Sequence, residues 1–552
     1  MSKPCSHWLY FLIPALLIVA AIVWLAAGPA SSRVLAQQKP ATENSTAATA
    51  AAKSSEPVIA GSRITAGALA GPIAFPAGSP LPQGCSSDGS CYEYIPEHPE
   101  AVSSVVRRWW PVTVYMTRSE AEKKLREANK LGAAIYVKPG KALIVPGVEA
   151  QPVVEKSIPA PPELEVRAVY MTGLMAGSEH GLEIVRRWRE VGGNSVVFDI
   201  KDSDGSVNVP FDSPLAPHRS PAIPNLPKYV RFLHTQGMHA IARIALFRDE
   251  NIAQRHSELA IHSRRTGQPW LENGKLVWSD PSNREMQQYD IALARQVAAS
   301  GVDEVQFDYV RFPAEGDQHD ARFAFETEHP GWTRAQVISD FLSHAYDELH
   351  KQGVLLSLDV FGVMAWQRSV DLAHTGQDIP QMARYCDVLS PMIYPSHFFG
   401  MDGYANPGDA PEHFISTSMQ RFVKVTAGNN VVLRPWLQAF AWRTRTYSPE
   451  YIKTQVAVAR ANGGIGFLFW NARNDYSKPY AAMPEMQKAA EAKYFRGDQL
   501  ADIPRLQAEH EKAAAEHAAA KDMNGEPRLT PAAATPRSRI ARHNATPPAP
   551  KP

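Results

Sequence analysis

Apolar and polar positions alternate most cleanly at 301–313 (GVDEVQFDYVRFP), where Val305 and Phe307 fall between Glu304, Gln306 and Asp308. A period of two predicts a short strand, and Pro313 ends it. Asp308 then stands where the strand gives way to its loop. Alone, this segment supports two readings equally: a loop-capping carboxylate paired with Arg311, or a catalytic acid flanked by Gln306, Tyr309 and Arg311. The pattern recurs along the chain. Apolar runs ending in polar groups lie at 167–172 (RAVYMT), 194–201 (NSVVFDIK), 239–247 (HAIARIALF), 303–309, 354–360 (VLLSLDV), 387–394 (DVLSPMIY), 430–438 (NVVLRPWLQ) and 465–471 (IGFLFWN). Helical periodicity separates most of them, at 181–191, 228–236, 283–300, 334–352, 377–385, 410–425 and 449–462. Such alternation predicts a parallel sheet, and eight units suit a closed (β/α)8 barrel over about 165–490. The alternative is an open doubly wound sheet. That fold carries a glycine-rich phosphate turn after its first strand, and 171–177 (MTGLMAG) lacks the spacing.

In either fold the C-terminal ends of the strands face the site. Asp199 and Lys201 end the second strand, and Arg243 lies in the third. Asp308 ends the fourth, with Gln306 before it and Tyr309 and Arg311 after it. Asp359 ends the fifth. Tyr394 ends the sixth, with His397 in its loop. Gln438 ends the seventh, and Trp470 and Asn471 end the eighth. Carboxylates, aromatics and amides thus converge on one rim. Glycosidic cleavage uses such a set. One carboxyl protonates the leaving oxygen, another attacks the sugar or activates water, and aromatic faces stack on sugar rings. Asp308 and Asp359 are the candidate catalytic pair. Asp199, Lys201, Arg243, Gln306, Tyr309, Arg311, Tyr394, His397, Gln438, Trp470 and Asn471 are the candidate substrate contacts.

Several longer motifs sharpen this. They are VFDIKDSDG at 197–205, IARI at 241–244, WSDPSN at 278–283, VQFDYVRFP at 305–313, LDVFG at 358–362, GQD at 376–378 and LSPMIYP at 389–395. Through them the chain resembles a bacterial glycoside hydrolase-like family of TIM barrels. The family's substrate is unknown, and it is distantly related to the α-amylase superfamily. The resemblance implies a nucleophilic Asp at the end of the fourth strand, which falls on Asp308. It also implies an acid/base at the end of the fifth strand, which falls on Asp359. The superfamily pattern has Glu at the acid/base and Arg two residues before the nucleophile, whereas this chain has Asp359 and Gln306. Either the shorter Asp359 approaches the glycosidic oxygen more closely, or another acid such as Glu315 donates the proton.

Composition narrows the partners. The chain has 552 residues, 44% hydrophobic and 20% charged, enough for a barrel with additions. A formal net charge of +1 gives no global field to recruit nucleic acid. No zinc-type spacing appears among 4 Cys and 18 His, and no cofactor is implied. His234 and His239 fall on a predicted helix and strand and make poor joint ligands. The expected partner is a polysaccharide.

Outside the barrel, residues 8–27 form a nearly continuous apolar run after Lys3. The run is long enough to span a bilayer and longer than a usual signal core. Its length favours an anchor over a signal cleaved after Val34-Leu-Ala36, within a targeting segment of 1–36. Arg33 and Lys39 beyond it blur the charge rule. The expected location is outside the cytoplasm, anchored in the inner membrane facing the periplasm, or secreted if the segment is cleaved. Residues 37–100 open with an Ala/Ser/Pro/Gly-rich linker. Cys85 and Cys91 then form either a small disulfide loop or a pair of free thiols. Cys386 is expected in the core. Residues 101–150 predict a small α+β module: a strand-like 111–116, a helix at 119–131 capped by Ser119, and a β element at 134–145. Its end faintly resembles a peptidoglycan-binding LysM repeat, although one helix is read where that fold has two. A weak cell-wall contact is therefore set against plain packing on the barrel. Residues 500–552 read as an Ala/Pro/Arg-rich tail, largely disordered.

Three functions fit these features: a retaining glycoside hydrolase, a barrel that binds glycan without cleaving it, and a transglycosylase. The export expectation has a direct test. Alkaline phosphatase fused after Leu164 should be active in a bacterial host. An inactive phosphatase fusion, together with an active cytoplasmic reporter at the same junction, would place the barrel inside the cell.

Overall fold

The computed structural model describes residues 91–148 and 153–486, the backbone of 69–72, 495–496 and 499–500, and isolated helical positions at 508, 512 and 515. The apolar run at 8–27, Cys85 and the tail beyond 515 lie outside the described residues. No helix among the described residues is long and apolar enough to cross a membrane.

The strands are β1 (Arg167–Met171), β2 (Ser195–Lys201), β3 (His239–Ala245), β4 (Glu304–Asp308), β5 (Leu355–Phe361), β6 (Val388–Met392) and β8 (Phe467–Trp470). The seventh stave, β7, comes in two pieces, Val432–Leu433 and Trp436–Gln438. Pro435 interrupts it because proline has no N–H for the ladder. Neighbouring strands run parallel, and β8 pairs with β1, Phe467 opposite Arg167 and Phe469 opposite Val169. That pairing closes the barrel and removes the open-sheet alternative.

Alternation along each strand divides its side chains between two layers. Ala168 and Tyr170 of β1, Val197 of β2, Ile241 of β3, Trp436 of β7 and Leu468 of β8 share the inner cluster. The intervening Val169, Phe198, Ala242, Phe307 and Leu358 face the helical ring. The ring comprises α1 (Glu179–Glu190), α2 (Leu226–Thr235), α3 (Arg284–Ala299), α4 (Arg334–Lys351), α5 (Ser369–Thr375), α6 (Pro411–Val425), α7 (Pro449–Ala461) and α8 (Ser477–Met486). Side chains of Ser178, Asn225, Asn283, Thr333 and Ser448 accept backbone N–H groups at the helix starts. The helix expected at 377–385 shrinks to Ile379–Met382, and α5 supplies most of that crossover. Gly376, at φ 71°, ends α5 in the left-handed conformation.

The floor of the barrel is polar and plugged. Arg434 donates to both oxygens of Glu304 at 3.0 and 2.8 Å, and His239 Nε2 lies 3.2 Å from Glu304. A strap at 153–166 crosses beneath, placing Ala160, Leu164 and Val166 in the inner cluster. The Ile158 N–H donates to Asp303 at 2.6 Å. His234, on α2, lies 2.8 Å from Glu155 of the strap and 3.1 Å from Asp303.

The small module differs from its expected form. Residues 111–116 form no strand; 110–112 is a 3-10 turn, preceded by the helix Val102–Trp109. The second helix is Arg118–Asn129, and its cap is Thr117 rather than Ser119. Glu100–Ala101 pairs antiparallel with Tyr136–Val137, so the order is strand, helix, helix, strand. Residues placed in the linker join it, since Tyr92–Tyr94 pairs with both Leu69–Pro72 and Leu143–Val145. Cys91 is disulfide-bonded and Cys386 is a buried free thiol. The module rests on the start of α2: Lys228 Nζ donates to the carbonyls of Trp110 and Thr113, and Asn225 donates to that of Pro111.

The strap contact sets a pH dependence. Burial pulls the His234 imidazole down, but Asp303 and Glu155 outweigh it and lift its pKa from 6.5 to about 9. A raised folded-state pKa stabilises fully below about pH 6.5 and loses that contribution as pH rises through about 9. Chemical unfolding of wild type and His234→Gln should differ by on the order of 3 kcal/mol at pH 6, converging above pH 9. A difference independent of pH would rule out the charged pair.

Candidate active site

β4 brings its carboxylate to the mouth through a strained turn. Tyr309 takes a φ of 52°, unusual for a residue with a Cβ. The turn lets the Tyr309 N–H donate to Asp308 Oδ1 at 2.6 Å. Gln306 stands opposite Arg243 in the β4–β3 register, and Asp199 stands opposite it in the β2–β3 register. The guanidinium therefore lies among three carboxyls. Arg243 donates to Asp199 at 2.5 Å and to Asp308 at 2.6 Å, and its Nε is 3.7 Å from Asp359. Gln306 stands two residues before Asp308, and the arginine that touches Asp308 comes from the neighbouring strand. The other oxygen of Asp359 accepts from Trp436 Nε1 at 2.6 Å, and the Tyr170 hydroxyl donates to Asp199.

One cation cannot neutralise three buried acids. Burial and then the charge of Asp308 hold the Asp359 carboxyl well above its ordinary range, against the pull of Arg243 and Trp436. Burial lifts Asp199 to about 7, again against Arg243. Burial and the neighbouring Asp308 thus both favour the protonated form of Asp359. Asp308 is the more open of the pair, 8% exposed against 1% for Asp359.

Aromatic rings line one side of the mouth. Trp470 lies 6.4 Å from Tyr170, 5.8 Å from Tyr394 and 5.3 Å from Phe440. Tyr394 leads to His397 at 5.3 Å, and His397 to Trp442 at 5.0 Å. Burial, then Arg443, depresses His397 to about 4, so its ring is neutral. On the other side Arg311 sits over Trp278, Tyr309 and Phe361, and it donates to the Phe312 carbonyl rather than to Asp308. Glu315 lies near Arg311 and Glu272, accepts from Asn273 at 2.9 Å, and is raised to about 7 by burial and Glu272.

Four expected contacts are not brought to the mouth. Lys201 is fully buried, 2.8 Å from Asp249 and 2.9 Å from Asp290 of α3. A bulge between Asp199 and Lys201 flips it out of phase, from the barrel interior to the strand–helix layer. Gln438 donates to the Phe440 carbonyl and Thr444 and accepts from the Ser396 N–H, tying two loops together. Asn471 donates to the carbonyls of Ala439 and Asp475. Gln306 is fully buried and donates to Ser390 at 3.4 Å. The hydrogen bonds of these amides run to neighbouring loops and strands. Residues absent from the expected site are Tyr170, Trp436, Phe440 and Trp442. Tyr170 and Trp436 were readable, because they share the inward phase of their strands. Among the described residues no group of three or more His, Cys, Asp or Glu side chains is arranged to hold a metal.

The family model described as "Putative glycosyl hydrolase domain" matches residues 168–476, the barrel from its first strand to the loop after its last. The chain belongs to this family. Membership makes it a glycosidase with a TIM-barrel catalytic domain. No curated protein matches the chain. Among solved structures, a hypothetical protein from Ruminiclostridium thermocellum ATCC 27405 is 32% identical over 35% of this chain and 97% of its own, with a TM-score of 0.30. The glycoside hydrolase domain of PgaB (BpsB) from Bordetella bronchiseptica is 15% identical over 59% of this chain and 97% of its own, at a TM-score of 0.43. A maltogenic α-amylase, AmyB, from Thermotoga neapolitana is 14% identical over 65% and 77%, at 0.37.

The Trp436 contact generates a signed prediction. Its N–H favours the ionised form of Asp359, so removing it raises that carboxyl further. If Asp359 must be protonated to act, Trp436→Phe should move the alkaline limb of the kcat/KM profile to higher pH. A downward shift or an unmoved limb would separate Asp359 from the rate-determining proton.

Proposed function

We propose that this glycosidase is a retaining enzyme that cleaves a polysaccharide outside the cytoplasm, with Asp308 as nucleophile and Asp359 as acid/base. The carrying observation is the shared guanidinium: Arg243 contacts Asp308 at 2.6 Å and faces Asp359 at 3.7 Å. It hydrogen-bonds the Asp308 carboxyl, while burial and the charge of Asp308 raise the Asp359 carboxyl. A carboxylate beside a carboxylic acid is the starting state for double displacement. Asp308 attacks the anomeric carbon as the glycosidic C–O bond breaks, and Asp359 gives its proton to the departing oxygen. Asp359, now anionic beside Arg243 and Trp436, takes a proton from the water that opens the glycosyl ester. Tyr394, its phenol raised by burial and by Asp359 and Asp308, stays a hydrogen-bond donor throughout.

A second proton donor has its own support. Asp359 is only 1% exposed, whereas Glu315 sits in an open loop with its carboxyl raised to about 7. In that reading Glu315 protonates the leaving oxygen and Asp359 tunes Arg243.

Location outside the cytoplasm is supported by the apolar run at 8–27 and by the disulfide at Cys91, a bond typical of oxidising compartments. The module is proposed as a weak cell-wall contact; its strand–helix–helix–strand order is the feature in favour.

A screen of the purified chain on bacterial exopolysaccharides and peptidoglycan, reading new reducing ends, identifies the substrate. On that substrate Asp308→Asn should lose about a thousandfold or more in kcat while still binding glycan. Whichever of Asp359→Asn and Glu315→Gln spares activated aryl glycosides but not poor leaving groups marks the acid. Wild-type turnover by Asp308→Asn would overturn the nucleophile. A parent that binds but cleaves nothing would point to a glycan-binding barrel.

A further inference from the structure

The aromatic wall does not stop at the carboxylates. From Trp470 it continues through Tyr394 and His397 to Trp442, whose chain neighbours Ala441 and Arg443 line a cavity of about 470 Å³. Ser396, Phe399, Asn406, Arg443, Thr444 and Arg445 line it. The Arg443 guanidinium lies between two rings, 4.7 Å from the centre of Phe399 and 4.5 Å from that of Trp442. Stacking of this kind fixes the plane and leaves the N–H edges free to donate.

The charge balance is one-sided. Arg445 has a counter-ion, Asp409, at 3.7 Å. Among the described residues Arg443 has no carboxylate within ion-pair distance. His397 beside it is uncharged, so Arg443 is the free cation at that end of the wall. The loop is also built to stay in place. Asp409 accepts the N–H groups of Arg445 and Thr446 at 2.6 and 3.3 Å. A Cβ on Gly408 would lie 2.2 Å from the Arg443 carbonyl oxygen, so glycine is needed for the two loops to meet. Arg443 itself takes a left-handed φ of 49°.

We infer that this cavity is a subsite for an acidic sugar, whose carboxylate or sulfate is held by Arg443 while its ring packs beside Phe399. The substrate is then an anionic polysaccharide, bound with its charge a few sugars from the cleaved bond. This deepens the hydrolase reading and rests on it for the direction of the chain. The chemistry is that of a fork-shaped cation meeting a planar or tetrahedral oxyanion.

Binding separates this inference from the catalytic one. The full-length Asp308→Asn chain is titrated with oligogalacturonate, a sulfated dextran oligosaccharide and maltohexaose at low and high salt. At least one acidic probe should bind about tenfold more tightly than maltohexaose, with the advantage falling as salt rises. Adding Arg443→Gln should reduce the acidic-to-neutral ratio to about one, and Arg443→Lys should restore part of it. Preference for the uronate alone assigns a carboxylate, and preference for the sulfated chain alone assigns a sulfate. Equal binding of acidic and neutral probes, or a ratio unmoved by Arg443→Gln, overturns the subsite. Neither result depends on turnover, so a failed nucleophile assignment is read separately from the kinetics of Asp308→Asn.

Discussion

One guanidinium governs the chemistry of this barrel. Arg243 faces three buried acids and is the one cation in direct reach of all of them among the described residues. Two direct hydrogen bonds go to Asp199 and Asp308, and the longer 3.7 Å approach goes to Asp359. The asymmetry matters because desolvation of a carboxylate costs several kcal/mol unless a partner offsets it. Burial outweighs the cation at Asp199, which is lifted to about 7, and at Asp359, whose carboxyl is raised well above its ordinary range.

The same constraint explains the surrounding support. Arg243 lies in β3 between Asp199 of β2 and Gln306 of β4, so closure and register of the barrel place the charges. Beneath them the floor repeats the arrangement with Arg434 and Glu304, and the strap excludes water from below. Solvent therefore reaches the acids from the mouth, where the aromatic rings stand.

Much of the fold was legible because a parallel barrel writes a strong period. Strand 303–309 and its seven companions appear within a few residues of their expected limits. Asp308, Asp359 and Asp199 were legible for the same reason, since inward phase and strand ends coincide. Lys201 was not, because a bulge adds one residue and reverses the phase, and no single local residue announces it. Gln438 and Asn471 looked like sugar ligands because amides serve loops and ligands equally well in sequence. That Arg243 reaches Asp308 needed the register between strands, which is a tertiary fact. In the module, Val102, Val105, Val106 and Trp109 carry a helical stripe. The stripe is faint in sequence because the helix is eight residues long and gives way after Trp109 to the turn that holds Pro111.

The grip on α2 has a mechanical consequence. The module holds the start of this helix through Asn225 and Lys228, and the strap holds its far end through Arg231 and His234. A pull transmitted from upstream of residue 91 would load α2 along its length and pass into the barrel wall through the β3 side. The loops that carry Tyr394, His397 and Arg443 lie on the opposite arc, off that load path. A load applied from the N-terminal side of the described chain would thus bypass the arc that carries the aromatic wall.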